Sequence, residues 1–247
     1  MSKNILILQH LKSLTPGLIL DLLKKDKFNL TIIQLDEGEE IPKKLSNFDA
    51  MLCMGGPMDT WMEDKFPWLK KEKIKIKEFV INLRKPYLGI CLGCQLLGEI
   101  LGGRVVKSNP AEIGILDIKM TKESNTDKIF AEFPKIIKAL QWHSYEVHDL
   151  EKNENVKIIG SSLKTKYQIF KYMDHAYGIQ FHTEIKNGAV YNLLKIPELK
   201  KSLEDNLGIA AIKKFDEDAQ SNMKEMNKNA QTLYNNFKKL FTIQKNF

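Results

Sequence analysis

The chain is expected to be an α/β protein with a mostly parallel central sheet, helices on both faces and a helical extension at its C-terminus. Three observations predict this. Short apolar runs rich in Ile and Leu alternate with amphipathic stretches through the first hundred residues, which is the rhythm of strands joined by crossover helices. One such run ends on Gly89-Ile90-Cys91-Leu92-Gly93 and turns at once into a helix-like segment. The last fifty residues lose the strand period and repeat apolar positions at helical spacing.

Taken in order, Asn4 to Gln9 is the first strand, Pro16 to Lys25 a helix, Leu30 to Leu35 the second strand and Ala50 to Met54 the third. The apolar run within Met1 to Leu11 is broken by Gln9 and His10. It is too short for a membrane span and lacks a small-residue cleavage site, so no membrane partner is expected. Pro67 to Arg84 is a long amphipathic helix feeding the strand before Cys91. From Ile113 to Met120 and from Ala139 to His182 the period shifts to short strands with hairpin signals. These include Tyr167 to Tyr172 and Ala176 to Phe181 around a Met173-Asp174-His175 turn. No repeat or low-complexity linker interrupts the chain. Its 247 residues suffice for one full core, divided as a domain over 1–194 and a helical extension over 195–247.

The Cys91 turn carries the chemistry. Glycines two residues before and after the cysteine remove Cβ atoms that would clash in so tight a strand-to-helix turn, the logic of a nucleophile elbow. The sulfur is lifted above the sheet edge and set at a helix N-terminus, from about Gly93 to Leu101, where unpaired N–H groups and the dipole favour negative charge. Taken alone, G-x-C-x-G fits a small apolar core cysteine almost as well. Downstream, Gly178-Ile179-Gln180-Phe181-His182-Thr183-Glu184 is expected to be a strand end on which period-two alternation points His182 and Glu184 the same way. A thiol needs a base and the base needs an orienting acceptor, and Cys91, His182 and Glu184 supply the three. His143 competes as base but has no carboxylate at a matching strand offset. The spacing of Cys91 and Cys94 also matches a redox pair or half of a zinc site, but there is no second cysteine pair and the flanking glycines fit the elbow better.

Gly89 to Gln95, the loop Met54-Gly55-Gly56-Pro57-Met58, Gln141-Trp142-His143 and Gly178 to Glu184 resemble, as a set, the class I glutamine amidotransferases. The resemblance spans roughly residues 4 to 190 and is closest to free-standing members similar to the amidotransferase half of GMP synthetase. It implies a flavodoxin-like class I amidotransferase fold. It also implies a catalytic triad of Cys91, His182 and Glu184 and an oxyanion hole from the backbone N–H groups of Gly56 and Leu92. Loss of one such donor in comparable sites costs on the order of 3 kcal/mol of barrier. Gln95, Ser144 and Tyr145 are implied to contact substrate. Where the family usually has proline between the histidine and the glutamate, this chain has Thr183, which preserves the two-residue offset.

The implied reaction is release of ammonia from the γ-amide of glutamine through a γ-glutamyl thioester, with no metal and no cofactor. Neither an S-G-G-x-D-S loop nor a G-x-x-x-x-G-K-[ST] loop is present, so ammonia either passes to a separate synthetase subunit or is simply released. Two rivals stay open: a γ-glutamyl peptidase using the same triad, and a regulatory or binding protein on the same fold. The net charge of +7 rests almost wholly on lysines interleaved with acids, with only Arg84 and Arg104 as arginines. It therefore points to a solvated surface and no nucleic-acid partner. Three cysteines form no even disulfide framework, which points to a reducing, cytoplasmic location. Gln168 matches a position common in close relatives, and His10, His148 and His175 are taken as structural or surface residues. In the extension, Ala219, Met223, Met226, Ala230, Leu233, Phe237 and Leu240 recur at alternating steps of four and three. That stripe must be buried, by docking on its own domain or in a seam with a second chain, so the oligomeric state is left open.

Overall fold

The computed structural model describes residues 2–243; Met1 and residues 244–247 at the end of the extension lie outside the described residues. In chain order the elements begin with β1 (Asn4–Gln9), α1 (Gly17–Lys25), β2 (Asn29–Gln34), β3 (Ala50–Cys53), α2 (Trp68–Lys77), β4 (Tyr87–Ile90) and α3 (Leu92–Ile100). A strand-rich stretch follows, with β5 (Arg104–Met120), β6 (Ile136–His148), β7 (Val156–Ser161), β8 (Ile169–Tyr172) and β9 (Ala176–Ile179). The chain closes with helices α4 (Ala189–Leu193), α5 (Pro197–Leu207) and α6 (Ala211–Thr242). The strands form one nine-stranded sheet in the order β2-β1-β3-β4-β9-β8-β7-β5-β6. Neighbours from β2 to β9 pair parallel, and those from β9 to β6 pair antiparallel.

Strand β1 shows why the sheet is covered twice. Ile5 and Ile7 face one core with Leu23 of α1 and with Leu233, Tyr234, Phe237 and Phe241 of α6. Leu6 and Leu8 face the other core, with Leu69 and Ile76 of α2 and Leu92 and Leu96 of α3. All four of these β1 side chains are fully buried, as in a parallel strand shielded on both faces. The helix after β3 departs from the expected continuous run: its last part, Glu78–Asn82, is a π-helical segment.

The expected short strands after residue 113 are corrected at two places, because β5 has 17 residues and β6 has 13. A register break between Lys107 and Glu112, which brackets Pro110, hides the continuity of β5 from a period-two pattern. The β5–β6 hairpin places Glu112 opposite His143.

Helix α6 lies along its own chain. Besides the core contacts above, Phe215, Ala219, Met223 and Met226 share a third cluster with Trp142, Val190 and Leu203, and Leu240 packs partly buried at the other end. Polar anchors fix its register: Tyr234 Oη donates to Leu22 O at 3.2 Å, Asn236 Nδ2 to Ile129 O at 2.9 Å and Asn227 Nδ2 to Ile185 O at 2.8 Å. No helix among the described residues is long and apolar enough to cross a membrane.

Candidate active site

The elbow forms at the carboxyl ends of the parallel strands, where open α/β sheets bind ligands. Cys91 sits between β4 and α3 with φ 53° and ψ −103°, a backbone conformation that a non-glycine residue holds only when its surroundings enforce it. They do so here. Cys91 N–H donates to Ile179 O at 2.8 Å, and Gly93 N–H to Met54 O at 3.2 Å. A Cβ on Gly89 would fall on the backbone of Gly93, and one on Gly93 would fall on the backbone of Cys53. The helix N-terminus begins at Leu92, so its N–H is one of the four without an intrahelical acceptor.

His182 lies just past β9 and bridges back to Leu140 of β6, with N–H to O distances of 2.9 and 3.1 Å. Its Nδ1 is 2.7 Å from Glu184 Oε1, and Glu184 Oε2 accepts from the Thr183 N–H at 2.9 Å. Glu184 O accepts from Leu18 N–H at the start of α1 at 2.8 Å, and Asn227 of α6 holds the neighbouring Ile185 O. The loop is thus braced from two helices. Burial opposes a charge on the His182 ring, but the Glu184 carboxylate and a hydrogen bond to Cys91 outweigh it and raise its pKa well above the ordinary imidazole value. A Cβ on Gly55 would stand 3.3 Å from both Cys91 Cβ and His182 Cε1, so glycine there lets thiol, imidazole and loop meet.

Two cavities share Cys91 in their lining. One, of about 660 Å³, is lined by Gly56, Cys91, Leu92, Gln95, Ser144 and Tyr145, with α5 forming its far wall through Glu198, Ser202 and Asp205. The other, of about 480 Å³, is lined by Gly55, Cys91, His182, Glu184 and the segment from Ile185 to Leu199. The structure therefore brings Cys91, His182 and Glu184 together and sets Gly56, Leu92, Gln95, Ser144 and Tyr145 on the larger cavity.

Gln95 is buried. Its Nε2 donates to Tyr145 O at 3.0 Å and to Gln180 Oε1 at 3.2 Å. Gln180, which sequence reasoning passed over, points its own Nε2 at Cys91 Sγ, 3.7 Å away. Ser144 Oγ meets Ser202 Oγ of α5 at 3.0 Å, and the Tyr145 ring packs edge-on against Trp61.

His143 has no carboxylate at a matching offset on its own strand, but Glu112 from the paired strand lies 3.2 Å from its Nε2. Its Nδ1 is 3.0 Å from Tyr145 O. Burial opposes ionisation of Glu112, but hydrogen bonds led by His143 and Ser162 hold its carboxyl below the usual range. Gln168 Nε2 completes this buried wall by donating to the same carboxylate. His148 is half-exposed and His175 Nε2 faces Val80 O at 2.9 Å, both remote from the sulfur.

The model of the glutamine amidotransferase class-I family matches residues 10–192, which include Gly56, Cys91, Leu92, Gln95, Ser144, Tyr145, His182 and Glu184. The chain belongs to the class I glutamine amidotransferase family. It is 33% identical over 147 residues to a glutamine-hydrolyzing GMP synthase subunit of Sulfolobus acidocaldarius, covering 59% of this chain and 72% of that one. It is 28% identical over 193 residues to a glutamine amidotransferase-like protein of Salmonella typhimurium, covering 77% and 78%. Among solved structures, a glutamine amidotransferase of Thermotoga maritima superposes with a TM-score of 0.83 at 25% identity, over 96% of this amidotransferase and 98% of that one.

Proposed function

We propose that this amidotransferase cleaves the γ-amide of glutamine at Cys91, and that the observation carrying the reading is the strained elbow thiol beside an imidazole whose Nδ1 lies 2.7 Å from Glu184. The Cys91 thiolate adds to the amide carbon, and the resulting oxyanion accepts hydrogen bonds from the N–H groups of Gly56 and Leu92. The C–N bond breaks as His182, protonated in this environment, gives its proton to the departing nitrogen, and ammonia leaves. The now neutral His182 takes a proton from water, which attacks the γ-glutamyl thioester and releases glutamate and the free thiol. Glu184 keeps the imidazole in the tautomer and orientation both steps need. Gln180 supports the sulfur as a donor, and Gln95, Ser144 and Tyr145 line the space for the amino-acid end of the substrate.

The ammonia acceptor is proposed to be a separate synthetase subunit, by analogy with the Sulfolobus relative, itself named as one subunit of a GMP synthase. A second reading is favoured by the cavity of about 480 Å³ on the His182 side. His182 protonates the leaving group, so that space is where a leaving amine larger than ammonia would sit, as in a γ-glutamyl peptide. A panel of glutamine and γ-glutamyl peptides, with the acyl-enzyme trapped and weighed by mass spectrometry, separates the two. Cys91→Ala and His182→Ala should abolish turnover, whereas Glu184→Gln should leave measurable activity because its amide oxygen still accepts one hydrogen bond. A neutral Glu184→Gln together with a dead, folded His143→Ala would move the base to His143.

A further inference from the structure

His10, Cys53 and Glu72 form a fully buried group against the candidate oxyanion loop. His10 follows β1, Cys53 ends β3 and Glu72 lies on α2. His10 Nε2 is 2.9 Å from Glu72 Oε1, Cys53 Sγ is 3.3 Å from the same oxygen, and His10 Nδ1 is 3.2 Å from Gly55 O. That last carbonyl belongs to the peptide unit whose N–H is Gly56's. The bond is trans, so the two groups point in opposite directions: what holds the carbonyl also aims the N–H. A Cβ on Gly56 would stand 2.8 Å from His10 Cβ, so the ring's own backbone end closes the loop from behind.

We propose that His10, held by Glu72, is a positioning residue that fixes the Gly55–Gly56 peptide with its N–H aimed at the oxyanion. The inference rests on the reading that Gly56 donates to that oxyanion. Gly55 O can only accept, so Nδ1 carries a hydrogen and donates to it, while the Glu72 carboxylate outweighs the opposing effect of burial and raises the imidazole pKa. A hydrogen bond donated to the carbonyl also polarises the peptide, which strengthens its N–H as a donor. Glu72 Oε2 has no hydrogen-bond partner among the described residues. A buried carboxylate satisfied on one oxygen alone is poor structural material, and apolar residues of similar volume would hold the core as well.

The experiment uses the full chain. In His10→Leu/Glu72→Met, which replaces the buried pair with apolar side chains, kcat for glutamine should fall roughly 10- to 100-fold, short of outright loss of a donor, with KM within about twofold. Affinity for the γ-semialdehyde of glutamate, whose thiohemiacetal places an oxygen in the hole, should fall by the same factor. The rate at which iodoacetamide alkylates Cys91 should not change, because that reaction develops no oxyanion. His10→Asn, whose amide can reach Gly55 O from the Nδ1 position, should recover most of the kcat, and His10→Gln should not.

Full kcat in the folded double variant would overturn the proposal, as would a parallel loss of kcat, KM and alkylation rate. If the double variant does not fold, equal kcat in His10→Asn and His10→Gln does the same. The three side chains place their ligand atoms within 4.8 Å of one another, so zinc bound one to one by the wild type and lost in the double variant would make this a metal site instead. A wild type that neither cleaves glutamine nor binds the aldehyde removes the oxyanion reading first, and this inference with it.

Discussion

Cys53, Cys91 and Cys94 differ in what surrounds their sulfurs, and that difference decides which of them reacts. Burial pushes the Cys53 and Cys94 thiols well above their ordinary value, reinforced by Glu72 for Cys53 and by Cys91 for Cys94. Cys91 opens on both cavities and faces His182. A glutamine-like alkylating agent should therefore label Cys91 ahead of the other two, read by peptide mass mapping, and modification of Cys94 first would displace the proposed nucleophile. For His182 the direction of the shift fixes a pH window. Its pKa is raised, so the stability contributed by the imidazolium pairing is complete below about pH 6.5 and is lost only as pH climbs through the elevated value. The proton needed by the leaving amine follows the same course. The alkaline limb of kcat/KM should lie well above the ordinary imidazole range, and a limb between about pH 6 and 7 would contradict the assigned environment. Cys91, His182 and Glu184 can be picked out of the chain because each sits in a short motif. Gln180 is 85 residues from Gln95 and 89 from Cys91, and His10 is 62 from Glu72. Such pairings exist only once the strands are ordered in the sheet.

The elements divide in the same way. Strands β1 and β3 and helix α1 begin and end within a residue of their sequence limits, because each is a short uniform apolar or amphipathic run bounded by a break. The β5–β6 hairpin reads as fragments in the sequence because Pro110 and the register break disturb its alternation. The π segment after α2 leaves no periodic trace, since one extra residue per turn merely rotates a pattern already irregular in lysines. The division proposed from the sequence takes 1–194 as the amidotransferase unit and 195–247 as an extension packed on it, and α6 offers the test. Leu233→Ala should cost about 2–5 kcal/mol, as for other fully buried leucines, and should lower the melting temperature without changing particle mass in light scattering. Halving of a dimeric mass by Leu233→Glu, with the catalytic unit still folded, would favour a seam between chains. Asn227 makes a narrower test, because its side chain holds Ile185 O next to Glu184. Asn227→Ala should lose about 1 kcal/mol of stability and lower kcat, read together in melting and turnover assays. Unchanged turnover would mean that the α1 contact alone suffices to hold the loop.

At the level of the whole molecule, the same sheet edge that carries the elbow is roofed by α5, so Leu199, Trp142 and Cys91 border both cavities. Added hydroxylamine should divert the thioester into γ-glutamyl hydroxamate in proportion to its concentration without raising the KM for glutamine. Simple competition with glutamine and no hydroxamate would show that both spaces act as a single berth.

A nucleophile bordered by two cavities has a traffic pattern. If the amine departs on the His182 side, as proposed, it clears while the acyl half is still tethered in the larger chamber. On that reading the second arrival, whether water or another nucleophile, comes in through the vacated side, and the enzyme becomes a turnstile whose outcome is set by whatever waits at the second door.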